Sequence, residues 1–385
     1  MREFLANAHG GLGLTWPIEF TYFLGIFFVC FAIINFVAVF AGLATYFERK
    51  IAGHMQSRVG PYRVGPHGLL QWVADALKLI LKEDIIPTAA DKFLFRLAPY
   101  VVFAGSFAAF IALPYSVGWS PAGLNIGLLY ILAVSSSVVI GILMAGWASG
   151  NKWALFGAMR AAAQIVSYEV PTGVTLLAMI MMAGSLDMHD IIRAQEKGFV
   201  FNTMMDTHFG MFSWYAFRHL PFTFIALVIY YIASLAETNR TPFDIPEAES
   251  ELVAGYHTEY SGIRFSYFFM AEYANMFVVA AVATTVFLGG WLPPFGKLFG
   301  GFIWLGDYLG LPFITFCEGV FWFMAKCCLL IFIMIWLRWT LPRYRVDQLM
   351  DLCWKKLLPL SLINFVAIGV IEKFSNITYY IGRLF

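Results

Sequence analysis

Residues 20–46 read FTYFLGIFFVCFAIINFVAVFAGLATY, an apolar run that carries no Asp, Glu, Lys or Arg and ends directly on Phe47-Glu48-Arg49-Lys50. A helix needs about 20 residues to cross the hydrocarbon core of a bilayer, so this stretch is long enough to span one with a turn or more to spare. Similar runs recur along the chain at about 97–117, 126–147, 160–186, 212–236, 263–290, 312–337 and 357–374. The fold class read from this is an all-α polytopic membrane protein of about eight transmembrane helices. It forms a single membrane domain over 1–385, with a basic Gly/Pro loop and amphipathic helix at 47–96 and an acidic loop at 237–262.

Composition agrees. Charged residues make up 13% of the 385, hydrophobic ones 60% and aromatic ones 18%, against about 25% charged in a soluble domain. The net charge of +1 offers no basic face for a nucleic acid. Cys30, Cys317, Cys327, Cys328 and Cys353 contain no CxxC and lie in or beside apolar runs, so neither a disulfide framework nor a zinc or iron-sulfur site is expected. The residues before the first span lack a strongly positive start and a small-residue cleavage site, which speaks against a removed signal peptide.

Lys and Arg in the loops set the expected orientation. With the N-terminus outside, seventeen of the twenty-five fall in inner loops, from Arg49, Lys50, Arg58 and Arg63 to Arg343, Arg345, Lys355 and Lys356. Both termini then face out, and the 47–96 and 237–262 loops face the cytoplasm, or the matrix of an organelle.

The first of these loops repeats itself: Arg58-Val59-Gly60-Pro61 and Arg63-Val64-Gly65-Pro66. Gly and Pro at that density exclude a regular helix and fix an irregular backbone. The segment reads either as a built wall presenting arginines or as a basic anchor beside the membrane. After it, Leu69, Leu70, Val73, Leu77, Ile80 and Leu81 share one helical side while Gln71, Asp75, Lys78 and Lys82 form the opposite stripe. An amphipathic helix over 68–83, lying along the interface or against the bundle, is predicted.

The second loop sets Glu237, Asp244, Glu247, Glu249, Glu251 and Glu259 against Arg240, interleaved with Phe243, Ile245, Pro246, Leu252, Val253 and Tyr256. A solvated acidic loop is one reading. The apolar residues favour a loop folded on protein, whose crowded carboxylates exchange protons near neutral pH. Two more carboxylates lie within spans: Glu169, just before Pro171, and Glu272. Ionisable groups in membrane helices are costly, and function is their default reading. Lys326 belongs with them, with an ion pair to Glu318 or a neighbour as the alternative. His54, His67 and His257 have no ligand spacing and read as ordinary polar residues. No GxGxxG, Walker loop, metal cluster or nucleophile elbow is present, so redox and nucleotide chemistry would come from partners.

Longer strings carry a resemblance. Glu48-Arg49-Lys50, Arg58-Val59-Gly60-Pro61, Gly68-Leu69-Leu70-Gln71 and Ala74-Asp75-Ala76-Leu77-Lys78-Leu79 are similar to the first loop of the H-subunit family of respiratory NADH:quinone oxidoreductases, the membrane component at the foot of the peripheral arm. The similarity continues through Arg160-Ala161-Ala162-Ala163-Gln164, Ser167-Tyr168-Glu169-Val170, Ala236-Glu237-Thr238-Asn239-Arg240-Thr241-Pro242-Phe243-Asp244, Met270-Ala271-Glu272-Tyr273 and Pro342-Arg343-Tyr344-Arg345-Val346-Asp347. The stretches 195–219 and 290–311 look long for the family.

The resemblance implies a quinone-binding subunit of the proton-translocating complex I, coupling quinone reduction to proton movement. The first loop, its helix and the acidic loop would form, with peripheral-arm subunits, a chamber near the last iron-sulfur cluster. Arg49, Arg58, Asp75, Phe243, Arg338 and Arg343 would line or brace that chamber. Glu169, Glu237, Asp244, Glu247, Glu249, Glu251, Glu259 and Glu272 would form the acidic path. Quinone is the implied substrate, with flavin, iron-sulfur and nucleotide held by other subunits. The implied partners are the peripheral-arm subunits beside the terminal cluster, small neighbouring membrane subunits and the lipid bilayer, with no nucleic acid. The bacterial cytoplasmic membrane fits better than the mitochondrial inner membrane. Runner-up readings are the equivalent component of a membrane-bound hydrogenase, and a stand-alone cation/proton transporter, for which matching interrupted halves are expected and not seen in the sequence.

Overall fold

The computed structural model describes residues 18–196, 210–246, 249–294 and 312–382. Within them seven helices are long and apolar enough to cross a membrane, and an eighth, shorter apolar helix runs over Phe222–Glu237. We number the helices in chain order: α1 Ile18–Met55, α2 Gln71–Leu81, α3 Lys92–Ala108, α4 Gly127–Ala148, α5 Lys152–Ala183, α6 Met188–Glu196, α7 Tyr215–Arg218, α8 Phe222–Glu237, α9 Glu249–Leu252, α10 Gly262–Phe287, α11 Pro312–Thr340, α12 Val346–Asp351 and α13 Leu358–Gly382. Each of the eight expected spans contains a helix, seven of them long enough to cross a membrane. Helical backbone satisfies its own hydrogen bonds, which is what hydrocarbon demands.

Several bounds differ from the hydropathy reading, each for a local reason. Helix α1 continues past Tyr46 to Met55, because Glu48 is neutralised by Arg240 of the acidic loop and Arg338 of α11 rather than by water. Helix α5 begins at Lys152, where Asn151 caps it by accepting from the Trp153 N–H at 2.9 Å. It runs unbroken through Pro171 and ends on Gly184, whose φ of 70° suits a residue without Cβ. The fifth span starts only at Phe222, after the short helix α7. The predicted amphipathic helix is α2, confined to 71–81.

Two cores hold the bundle. The larger gathers Phe110, Leu113, Leu128, Leu176, Tyr230, Phe277, Phe287 and Phe323 around α10. The second joins Phe95, Val102, Ile142, Ala161, Tyr260 and Phe268. Helix α10 lies at the centre: from Met276 to Phe287 every side chain is buried. By contrast the far half of α1 exposes Phe20, Phe23, Phe27, Phe28 and Phe31, a surface suited to lipid or to another apolar chain.

Helix α2 has no buried residue. It is docked by Trp72, whose ring fills the space a Cβ on Gly42 of α1 would need. Leu77, Ile80 and Leu81 remain exposed. The segment after α2 is fastened to α10: Ser261 Oγ donates to the Glu83 carbonyl at 3.0 Å, and Arg264 pairs with Asp84 at 2.9 Å.

Candidate functional site

The two charged loops meet at the end of α1. Glu48 is 5% exposed, and a lone carboxylate buried to that degree would be prohibitively costly. Three groups compensate it. Arg240 Nη1 lies 3.3 Å from Oε2, the Tyr273 hydroxyl donates to the same oxygen at 2.7 Å, and Arg338 Nη1 donates to Oε1. Arg240, itself 3% exposed, also pairs through Nε with Glu272 at 2.9 Å and stacks its guanidinium 4.4 Å from the Tyr273 ring centre. Burial alone would draw the Arg240 pKa down. Glu272, Tyr273 and Glu48 outweigh that and hold it above its already high value. Two carboxylates and two guanidiniums from α1, the acidic loop, α10 and α11 thus make a neutral buried knot.

A second group lies beside it in the bundle. Glu237 is the last residue of α8 and lines a cavity of about 40 Å³, together with Tyr230, Thr172, Thr238, Ser135 and Asn275 among apolar neighbours. That volume holds roughly two or three waters. Tyr230 donates its hydroxyl to the Val279 carbonyl at 3.1 Å, fixing one wall. Glu169 of α5 stands close enough for its charge to act on Glu237, with the Ser136 hydroxyl on one side and its Oε1 buried without a hydrogen-bond partner.

The remaining expected acids serve as latches. Asp244 pairs with Arg343 at 3.2 Å. Glu251 pairs with Arg160 of α5 at 2.6 Å, and Glu259 accepts from Asn151 Nδ2 at 2.7 Å, so the residue that caps α5 also holds the acidic loop. The approach is tight: a Cβ on Gly157 would sit 2.6 Å from Gly255 Cα. Glu247 lies outside the described residues. Glu249 opens α9, and its side chain is likewise outside them.

The expected chamber residues divide in the same way. Arg338 belongs to the knot. Arg49 and Asp75 pair at 2.6 Å on the surface, with Gln71 donating to Asp75 at 3.0 Å. Arg58 is exposed and donates through Nε to Gln56 at 2.6 Å. Phe243 is buried in a ring stack, 5.9 Å from Tyr168 and 5.7 Å from Tyr344. Tyr168 donates to the Leu349 carbonyl at 2.9 Å, while Cys353, in the π-turn Leu352–Leu357, donates to the Ser167 carbonyl at 3.1 Å. The strap 342–353 therefore grips both the acidic loop and the turn of α5 that precedes Glu169.

Glu48, Arg240 and Tyr273 were not among the expected site residues, although all three stand in the matching strings. The available signal was Glu48 itself, a carboxylate one residue beyond an apolar run. Lys326 also finds definite partners: Nζ donates to the Leu288 and Leu292 carbonyls, each at 2.7 Å, and lies 4.4 Å from the Trp214 ring centre. It caps the far end of α10. Among the described residues no group of three or more His, Cys, Asp or Glu side chains is placed to hold a metal ion.

Comparison with known proteins gives this arrangement a family. A family model described as NADH dehydrogenase matches residues 28–369. The NADH-quinone oxidoreductase H subunit of Chlorobium luteolum is 49% identical over 348 residues, covering 90% of this chain and 89% of its own. That of Chlorobaculum tepidum is 47% identical over 368 residues, 95% and 96% of the two chains, and that of Bacteroides fragilis 44% over 356, 91% and 93%. With a family model matching residues 28–369 and relatives 44–49% identical over about nine-tenths of its length, the chain belongs to the NADH dehydrogenase family that contains the H subunits of NADH-quinone oxidoreductases.

Proposed function

We propose that the chain is the quinone-binding membrane subunit of a proton-translocating NADH:quinone oxidoreductase, working with the other subunits of that complex. The observation that carries the reading is the buried knot of Glu48, Arg240, Glu272, Arg338 and Tyr273 at the root of the basic loop, one turn of chain from Glu237 in its largely apolar cavity. Reducing a quinone adds two electrons and takes up two protons, so negative charge develops briefly near the headgroup. A knot of balanced ion pairs in a low-dielectric interior responds strongly to such a charge. Arg240 links the two ends: its guanidinium belongs to the knot, and its backbone belongs to the turn that begins at Glu237.

On this reading Arg49, Arg58, Asp75, Arg338 and Arg343 border or brace the quinone chamber, Phe243 supports it through its ring stack, and Glu169, Glu237 and Glu272 carry protonic change. Asp244, Glu251 and Glu259 hold the acidic loop in place. Quinone enters as substrate. Flavin, iron-sulfur clusters and NADH belong to peripheral-arm subunits, which would cover the exposed basic loop and α2. The basic end faces the bacterial cytoplasm. A cysteine at Arg63 that reacted only with reagent supplied from outside the cell would overturn that orientation.

The test is Glu237→Gln and Glu169→Gln in the assembled complex. Each keeps shape and removes a titrating group. NADH oxidation by an artificial acceptor should stay unchanged, while quinone reduction and the proton gradient fall together. Wild-type turnover and wild-type proton-to-electron ratio in reconstituted vesicles would remove both carboxylates from the path.

A further inference from the structure

Gln164 lies on α5 at 2% exposure, and its side chain makes an unusual pair of bonds. Nε2 donates to the Ala236 carbonyl at 2.8 Å and to the Phe243 carbonyl at 2.7 Å. These carbonyls bracket the turn that leaves α8, so one amide closes both legs of the segment carrying Glu237 and Arg240. The orientation of the amide follows from its surroundings, since only the NH2 end has hydrogens to give to two carbonyls. Its Oε1 is left buried without a hydrogen-bond partner. A group that satisfied only its own hydrogen bonds would not be placed this way. The amide serves the turn at the expense of its own acceptor.

We propose that Gln164 is a positioning residue for Glu237: by clamping the Ala236 and Phe243 carbonyls it fixes where the Glu237 carboxylate stands in the cavity, and so governs proton exchange there. The inference rests on the protonic reading of Glu237 and deepens it. The other ionisable groups acting on Glu237 and its neighbourhood are Glu169 from α5 and Tyr230 from α8. Releasing the clamp changes the distance of Glu237 from both. Misplacement of a reacting group by about 1 Å is enough to cost a large factor in rate.

The experiment is a double-mutant comparison in the assembled complex. Gln164→Met keeps length and burial and removes both donors. In an otherwise unchanged chain it should lower quinone-reductase turnover about tenfold and displace its pH profile, with artificial-acceptor activity intact. In a Glu237→Gln background the same change should cost less than about twofold, because the group being positioned no longer titrates. Gln164→Glu gives a second reading. Its ionised carboxylate repels both carbonyls, whereas the neutral acid can donate to one, so turnover relative to wild type should recover as the pH falls. Equal fold losses in both backgrounds, or an unmoved pH profile, would overturn the proposal and leave Gln164 a plain brace. Wild-type turnover in Glu237→Gln alone would instead remove the reading of Glu237, so the two failures are distinguishable.

Discussion

Replacing Arg240 by Met removes one of the two cations in the knot and nothing else of similar size. In the wild type the count is two carboxylates, Glu48 and Glu272, against Arg240 and Arg338; in Arg240→Met it is two against one. The lost pairs lie at 2.9 Å to Glu272 and 3.3 Å to Glu48, each worth about 5 kcal/mol of attraction at an effective dielectric of 20. Most of that offsets desolvation, and removal of one partner of a buried pair typically costs about 3–5 kcal/mol. The lower end applies here, because Glu48 keeps Arg338 and the Tyr273 hydroxyl and Glu272 is partly exposed. A cost of about 3 kcal/mol raises the open population of the acidic loop roughly a hundredfold. Hydrogen exchange of amides 237–246 in the purified complex reads that directly. Adding Glu272→Gln restores a one-to-one count with Glu48 and Arg338, so the double variant should exchange more slowly than Arg240→Met alone. Arg240→Lys, which keeps the charge but loses the planar fork and the stack on Tyr273, should fall between. Wild-type exchange in Arg240→Met, or a double variant at least as labile as the single one, would refute the charge-balance account.

Three further outcomes follow from the geometry. Gly157→Ala should loosen the acidic loop and impair assembly, since its Cβ meets Gly255 Cα at 2.6 Å and Tyr256 N at 3.0 Å, while Gly173→Ala on the same helix, with nothing within 4 Å, should assemble as wild type on native gels. Lys326→Met removes both donors to the Leu288 and Leu292 carbonyls and should destabilise the far end of α10 by about 2–3 kcal/mol, read as faster exchange of amides 284–292 with the 237–246 segment unaffected. Burial lowers the His189 pKa from its ordinary 6.5, with Arg193 adding to this and Asp187 and Asp190 opposing it. The unfolded segment therefore takes up the proton first as pH falls, so docking of α6 should weaken from about pH 6.5 downward and stay constant above it. His189→Gln should abolish that pH dependence in exchange measurements over 185–196.

Membrane class, helical segments and family were all legible along the chain. Each rests on local or composition-level physics: a charge-free run long enough to span hydrocarbon has few other stable fates, and long ordered strings survive without any knowledge of contacts. The sequence also singled out the two charged loops, because charge beside apolar residues is conspicuous along one dimension. The tertiary structure decided which charges belong together. The expected acids within the described residues sort into a buried knot, a cavity and a set of latches because pairing depends on which helix ends converge, and Glu48, Arg240 and Glu272 are far apart in the chain. Phe243 reads the same in sequence whether it faces a ligand or a ring stack, and only the positions of Tyr168 and Tyr344 distinguish the two. Gln164 stands in one of the strings that carry the resemblance, but nothing along the sequence marks its role, which comes from two carbonyls brought to it by the turn after α8.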